Sequence, residues 1–432
     1  MQRKIISELL AWKNNKNRKP LILNGARQVG KTFALENFAK ENFDNTVYIN
    51  MEIETDFRGF LDGDISPKRI IQHLELIKKQ PITENKTLIF FDEIQACERA
   101  MTSLKYFCEQ APEYHVAAAD SFGVAVNREK YSFPVGKVDE FYMFPLDFEE
   151  FLWALGYDEL AEEIKNHFES NEPMNTALHK LALDLYKKYL VVGGMPAVVK
   201  RFVETESFLS AQIVQNDIFN EYTADMSKYA DPTTSVKIRA CYNSVPAQLA
   251  KGNRKFQYKI VQKGGTATIF GESIERLNFA GTVIKCQKIT EGNTPIAVYA
   301  YFPDFKLYMS DVGLLTLKSR LPAEMLVADN NEGNTFMGSV TENYVAQAFT
   351  ANKIPLFYWK NDNTAEVDFV LQKGIDVIPV EVKRGDNTRS KSMNIFAKQY
   401  HCPYAIRISQ KNFGFENGIK SVPLYAVFCI LS

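Results

Sequence analysis

Leu21-Ile22-Leu23-Asn24-Gly25-Ala26-Arg27-Gln28-Val29-Gly30-Lys31-Thr32 is the stretch that decides the fold. Its apolar start, Leu21-Ile22-Leu23, reads as a buried strand. Gly25-x-x-x-x-Gly30-Lys31-Thr32 has the P-loop spacing, and a helical pattern runs on from Phe33 to Lys40. Glycine lets the backbone fold back so that its N–H groups point at phosphate oxygens. Lys31 supplies a cation for the β- and γ-phosphates, Thr32 a hydroxyl for Mg²⁺, and the helix N-terminus its positive dipole end. The pattern predicts a nucleoside triphosphate with Mg²⁺ as ligand. Its candidate contacts are Gly25, Ala26, Arg27, Gln28, Val29, Gly30, Lys31, Thr32 and Phe33.

Downstream, Thr87-Leu-Ile-Phe-Phe-Asp-Glu-Ile-Gln95 runs four apolar residues into Asp92-Glu93. This is the pattern of a buried parallel strand with carboxylates at its C-terminal end, where ligands sit in open α/β sheets. Asp92 is the candidate to hold Mg²⁺ through water, and Glu93 to orient or deprotonate an attacking water. Further strands are expected at Thr46–Asn50 and His115–Ala119, with helices between, giving a parallel helix-covered sheet within residues 1–150. Asp120-Ser121 follows the last of these strands. Ser121 could sense the γ-phosphate, or the pair could be a plain turn. Arg128 could reach a phosphate in its own or a neighbouring subunit, or be a surface arginine.

The chain has 432 residues, 46% hydrophobic and 24% charged, with a net charge of −1. That length suggests roughly two to four domains of ordinary globular composition. The net charge gives no global nucleic-acid signal. Cysteines 97, 108, 241, 286, 402 and 429 form no C-x-x-C pair and read as reduced thiols, which predicts a cytoplasmic location. No secretory leader is visible, and the longest apolar run, near Tyr189–Val199, is too short to span a bilayer. No membrane association is expected.

Charge is uneven along the chain. Residues 146–173 hold nine acidic residues against one lysine, and residues 228–288 hold eleven basic residues against three acidic. Solvated helix faces would account for both, and a nucleic-acid face would account for the second. Residues 151–225 read as a helical region broken at Gly193-Gly194-Met195-Pro196, which is either a hinge or a helix terminus followed by a helix start. Residues 226–325 read as helices followed by a hairpin, with strands at 281–289 and 296–302. That pattern fits a winged helix-turn-helix or a packing module. Residues 326–432 read as a helix near Val340–Thr350 followed by strands at Leu356–Trp359, Glu366–Leu371 and Val377–Val382. Asp368 and, thirteen residues on, Glu381 could meet across a hairpin, with Lys383 on the same face as Glu381. Two adjacent carboxylates with a lysine suit a metal-dependent phosphodiesterase, or a cross-strand salt bridge with exposed carboxylates.

Taken together, the ordered motifs resemble a bacterial and archaeal family of AAA-type ATPases fused to a C-terminal domain related to PD-(D/E)xK nucleases. The carriers are residues 25–32, Phe-Phe-Asp-Glu-Ile-Gln (90–95), Pro-Leu-Asp-Phe-Glu-Glu-Phe (145–151) and Gly-Gly-Met-Pro (193–196). Glu-Asn-Tyr-Val-Ala-Gln (342–347), Ala-Glu-Val-Asp-Phe-Val (365–370) and Val-Glu-Val-Lys (380–383) complete the set. The resemblance spans essentially the whole chain. It implies an α/β chain with a P-loop AAA-type parallel sheet, a helical lid, a winged-helix-like middle and a restriction-endonuclease-like end domain. It implies ATP hydrolysis with Mg²⁺, with Lys31 and Glu93 catalytic and Thr32 and Asp92 at the metal. Glu342, Asp368 and Glu381 would be metal ligands of the nuclease core and Lys383 its catalytic lysine, with DNA as the implied partner. AAA-type domains often form rings, so a homo-oligomer is a further expectation. Two positions depart from the family pattern. Asp120-Ser121 stands where many relatives have Gly-Ser, and Lys137 where relatives often carry an arginine whose bidentate chemistry a lysine cannot reproduce.

Overall fold

A computed structural model describes residues 1–121, 133–228, 231–327, 335–361, 365–385 and 391–431. The chain divides into two compact units. One is Gln2–Phe144 with Phe279–Gly281, and the other comprises Met1, Pro145–Asn278 and Thr282–Ser432.

The first unit is built on five parallel strands: β1 (Leu21–Asn24), β2 (Asn45–Asn50), β3 (Thr87–Asp92), β4 (His115–Asp120) and β5 (Asp139–Tyr142). Their order across the sheet is β2-β3-β4-β1-β5. Every residue of β3 and β4 is buried, as unbroken apolar runs demand when helices cover both faces. Helices Lys31–Asn42, Pro67–Lys78 and Glu98–Gln110 connect the strands, and Ile49, Ile70, Ile89, Phe91, Leu104 and Phe107 lie in the core. The connection leaving β1 runs toward the β2 edge and the one leaving β4 toward the β5 edge. Adjacent strands whose connections part in this way open a crevice at their carboxyl ends. Strand β5 has no sequence-based counterpart, because of its four residues three are half-buried and Tyr142 is exposed, a run too short to show a period.

The second unit begins with six helices between Phe148 and Leu249, followed by the helix Ala267–Phe279. Its mixed eight-stranded sheet is ordered β12-β13-β11-β10-β9-β8-β6-β7. The strands are β6 (Val283–Ile289), β7 (Ala300–Met309), β8 (Phe357–Lys360), β9 (Glu366–Lys373), β10 (Asp376–Val382), β11 (Ala405–Ser409), β12 (Gly414–Glu416) and β13 (Ile419–Pro423). The helix Thr335–Ala351 buries Val340, Tyr344, Val345 and Phe349, and Phe349 meets Phe369 of β9 edge-on at 5.4 Å. In the hairpin read at 281–302 the first strand, β6, also pairs in parallel with β8, so β6 and β7 form one end of the sheet that also holds Asp368 and Glu381. Residues 296–299 form a 3₁₀ turn, and the return strand starts at Ala300.

No helix among the described residues is long and apolar enough to cross a membrane.

Candidate functional site

The loop after β1 folds as its glycines allow. A Cβ on Gly25 would lie 2.3 Å from the Met143 carbonyl oxygen, so only glycine fits against the end of β5. Gln28 and Gly30 take left-handed conformations, with φ of 63° and 93°, and these turn the chain into the helix that starts at Lys31. Ala26 and Val29 are buried beneath the loop, whereas Phe33 lies outside it and is more than half exposed. Arg3 holds the loop from below, donating from Nη1 to the Val29 carbonyl (2.8 Å) and from Nη2 to the Phe144 carbonyl (2.6 Å).

Lys31 is buried, and its Nζ donates to the carbonyls of Gly25 (2.9 Å) and Ala26 (2.8 Å). Desolvation pulls its pKa down to about 8. Glu93, Asp120 and Asp92 oppose that shift, while Arg27 adds to it. Thr32 Oγ1 donates to both oxygens of Asp92, at 3.1 and 3.2 Å. Tyr48 of β2 donates its phenol proton to Asp92 Oδ2 at 2.8 Å, and the Glu93 amide donates to Oδ1 at 3.1 Å. Burial raises the Asp92 pKa, with the Glu93 charge adding to it. The Tyr48 and Thr32 hydrogen bonds work the other way. Burial also pushes the Tyr48 phenol up to about 12.

Glu93 takes a left-handed backbone, φ 49°, which turns its side chain out of the strand direction. Its carboxylate accepts from Ser121 Oγ at 2.7 Å and from the Gln95 amide, and lies 4.0 Å from Arg27 Nη2. Arg27 also faces Glu52, at 3.8 Å. The structure thus brings together Lys31, Thr32, Asp92, Glu93 and Ser121, from the carboxyl ends of β1, β3 and β4. This donor set fits a triphosphate with Mg²⁺: a buried ammonium and loop amides for phosphate, and a hydroxyl beside a carboxylate for the metal. Sequence reasoning missed Arg3 and Tyr48, because neither lies in a motif and both arrive through tertiary contact. Arg128 lies outside the described residues, and Lys137 pairs with Glu109 at 3.0 Å.

The acidic residues of the second unit are arranged differently. The antiparallel register that pairs Val380 with Phe369 brings Asp368 alongside Glu381. Asp368 Oδ2 accepts from the Val382 amide at 2.8 Å, and Lys383 pairs with Glu381. Burial raises the Glu381 pKa, and the Asp368 charge raises it further. Glu342 is fully buried and faces cations of its own chain. Lys306 Nζ lies 2.9 Å from its Oε1, the Tyr308 phenol donates to the same oxygen, and Arg254 pairs with Oε2. Lys306 also bridges to Glu366 at 2.8 Å. Among the described residues no three His, Cys, Asp or Glu side chains converge as a metal-binding group. In the basic stretch 228–288, Arg254, Lys255, Arg276, Lys285 and Lys288 each pair with a carboxylate.

Three family models match the chain: an AAA domain over residues 17–152, a domain of unknown function (DUF8612) over 183–324, and a second (DUF4143) over 337–427. No curated protein sequence matches. Among solved structures, the chain is similar to the Walker-type ATPase PABY2304 of Pyrococcus abyssi, at 14% identity and a TM-score of 0.44. That match covers 73% of this chain and 95% of the other. The Aeropyrum pernix ORC1 protein in complex with DNA matches at 9% identity and a TM-score of 0.28, covering 76% and 93%. C. elegans PCH-2 matches at 12% identity and a TM-score of 0.25, covering 37% and 47%. Residues 17–152 thus match the model of an AAA domain, and the parallel sheet and P-loop of the first unit agree with that match.

Proposed function

We propose that the chain binds ATP with Mg²⁺ at the loop after β1 and hydrolyses it to ADP and phosphate. The observation that carries this reading is the cluster itself, with Lys31, the Thr32–Asp92 pair and the Glu93–Ser121 pair at neighbouring strand ends. The loop amides and Lys31 bind the β- and γ-phosphates, and Thr32 and Asp92 hold the metal, with Tyr48 fixing the Asp92 carboxylate. When bound, Mg²⁺ offsets negative charge on the phosphate oxygens. Glu93 orients the attacking water and takes its proton, while Ser121 fixes the face that the carboxylate presents.

For the second unit we propose a binding role rather than a cutting one. Glu342 is neutralised by Lys306 and Arg254 and hydrogen-bonded by Tyr308, which leaves Asp368 and Glu381 without the third carboxylate that a nuclease core would supply. One experiment addresses both readings: ATP hydrolysis measured with Mg²⁺ or Mn²⁺ in the presence and absence of plasmid DNA, with the DNA then run on a gel. Lys31→Ala and Glu93→Gln are each expected to lower turnover by at least about a hundredfold, and the plasmid is expected to stay intact. Unchanged turnover in both variants would end the ATPase reading. Cutting that Asp368→Ala removes would end the binding reading.

A further inference from the structure

We infer that the second unit holds a phosphate-binding pocket at the carboxyl ends of β10 and β11, built from Tyr186, Lys187, Arg384 and Gln410. A ligand class is thereby added to the binding role proposed above, on which this rests: a phosphate dianion, free or carried by a small phosphomonoester. Strands β10 and β11 run parallel and side by side, and the Lys383 amide donates to the Ile408 carbonyl at 2.8 Å just beyond them. Arg384 lies two residues past the end of β10, and Gln410 one residue past the end of β11. The carboxyl ends of parallel strands are where α/β sheets place their ligands. The helix Thr176–Val192 brings Tyr186 and Lys187 to the same cavity, and Leu190 and Leu424 supply apolar wall. Glu381 and Lys383 do not line it, so this pocket is separate from the acidic pair of β9 and β10.

The cavity occupies about 380 Å³, its open mouth included. That lies near the low end of the roughly 300–1,000 Å³ of small-molecule sites, which suits a phosphate group with little body beyond it. None of the described residues that line it is acidic. Lys187 and Arg384 both interact with other groups of the chain, Lys187 with Asp184 at 3.3 Å. Neither has to give these up, because an ammonium has three donors and a guanidinium five. The side chain that points to a ligand is Tyr186. It is only 3% exposed, yet its phenol oxygen has no hydrogen-bond partner among the described residues. Thr341 stands beside it, but the Thr341 hydroxyl donates to the Met337 carbonyl at 3.0 Å. Burial pushes the phenol pKa up by more than Thr341 and the Arg384 charge pull it down, so the proton stays on the oxygen. A buried donor left unmatched costs free energy. A phosphate oxygen held by the two cations would accept that proton in a charge-assisted hydrogen bond.

Calorimetry on the full chain tests this, in a Lys31→Ala background so that the loop after β1 does not compete for the probes. Inorganic phosphate and adenosine monophosphate are titrated separately, with acetate as the control. At least one of the two phosphates is expected to bind, more tightly than acetate, and the tighter of them identifies the source. Tyr186→Phe keeps the ring, which packs edge-on against Tyr344 at 4.9 Å. It is expected to weaken that binding about tenfold, equivalent to about 1.4 kcal/mol, and Arg384→Gln to weaken it at least as much. Without any anion, Tyr186→Phe should melt no lower than its parent, since it deletes only an unmatched hydroxyl. The bound phosphate should raise the melting temperature of the parent more than that of the variant. Binding of neither phosphate, acetate as tight as phosphate, or an affinity that survives both Tyr186→Phe and Arg384→Gln would overturn the inference. Plasmid cutting that Asp368→Ala removes would end the binding reading instead, and that result is scored on a gel and not by phosphate affinity.

Discussion

At Lys31 two environments compete for one proton. Burial against the loop carbonyls draws its pKa down to about 8, whereas the phosphates of a bound nucleotide favour the charged form and raise it. The sign follows directly. Near pH 8.5, before ATP is added, a large fraction of Lys31 is neutral, so binding takes up a proton. Calorimetric titration of ATP into the protein in Tris and in phosphate, whose ionisation heats differ, should give an uptake approaching one proton near pH 8.5. The uptake should fade by pH 7, where Lys31 is already charged. Lys31→Ala should abolish it, and an uptake that does not change between pH 7 and 8.5 would contradict the assignment. Linkage has its own sign here: the folded value lies below the unfolded 10.5, so burial of this charge costs stability below pH 8, and that cost is relieved as pH rises toward 10.5. Lys31, Thr32, Asp92 and Glu93 were legible in the sequence because each sits at a fixed offset from a strand or a glycine. Tyr48 was not, because its place beside Asp92 depends on β2 lying next to β3, and nothing local encodes that neighbour.

At the scale of elements, the break at Gly193-Gly194 is a tied joint between two helices. The helix Thr176–Val192 stops where Gly193 takes φ 71°, and Pro196 opens the next helix at its first position. The Leu146 amide donates to the Gly194 carbonyl at 2.7 Å. The Gly194 amide donates to Asp311 Oδ2 at 2.6 Å, and the other carboxylate oxygen caps the helix Val312–Lys318 through the Leu314 amide. The Asp311 carboxyl is fully buried and pushed up to about 6 by desolvation, so this hydrogen-bonded junction is closed to bulk solvent. The sequence left hinge and terminus open because Gly-Gly-x-Pro serves either, and the deciding partner lies more than a hundred residues away. A Cβ on Gly194 would sit 1.9 Å from the Leu146 carbonyl oxygen, which is backbone and cannot step aside. Gly194→Ala should therefore lower stability by about 3 kcal/mol. Gly271→Ala, in a helix with open space around the new methyl, should raise it by roughly 0.5–1 kcal/mol. Urea unfolding of the two variants side by side checks both signs, and a neutral Gly194→Ala would mean that the joint is free to move.

For the whole molecule, what the sequence showed least clearly is the second sheet. Its strands are visible singly, as apolar runs in β8, β9 and β10, but sheet membership is a matter of pairing. The decisive pair joins β6 to β8 in parallel, across the intervening helix Thr335–Ala351. No period within either strand reports a partner that distant, so a division at 325/326 reads naturally from the chain and yet runs through the sheet. The consequence is electrostatic as well as topological. Lys306 comes from the early side of that division, and the carboxylates it neutralises, Glu342 and Glu366, come from the late side. A fragment of residues 326–432 would lose two strands and leave Glu342 buried without Lys306, Arg254 or Tyr308. Removing one partner from a buried ion pair costs about 3–5 kcal/mol, a large part of a domain's typical total of about 5–15 kcal/mol. The fragment should then unfold without a sharp urea transition, whereas one starting at residue 282 should regain cooperativity, and Lys306→Ala in the longer piece should lose much of it again. If residues 326–432 alone unfold as sharply as the longer fragment, then the Lys306 bridge and the β6–β8 pairing are not what holds this sheet together.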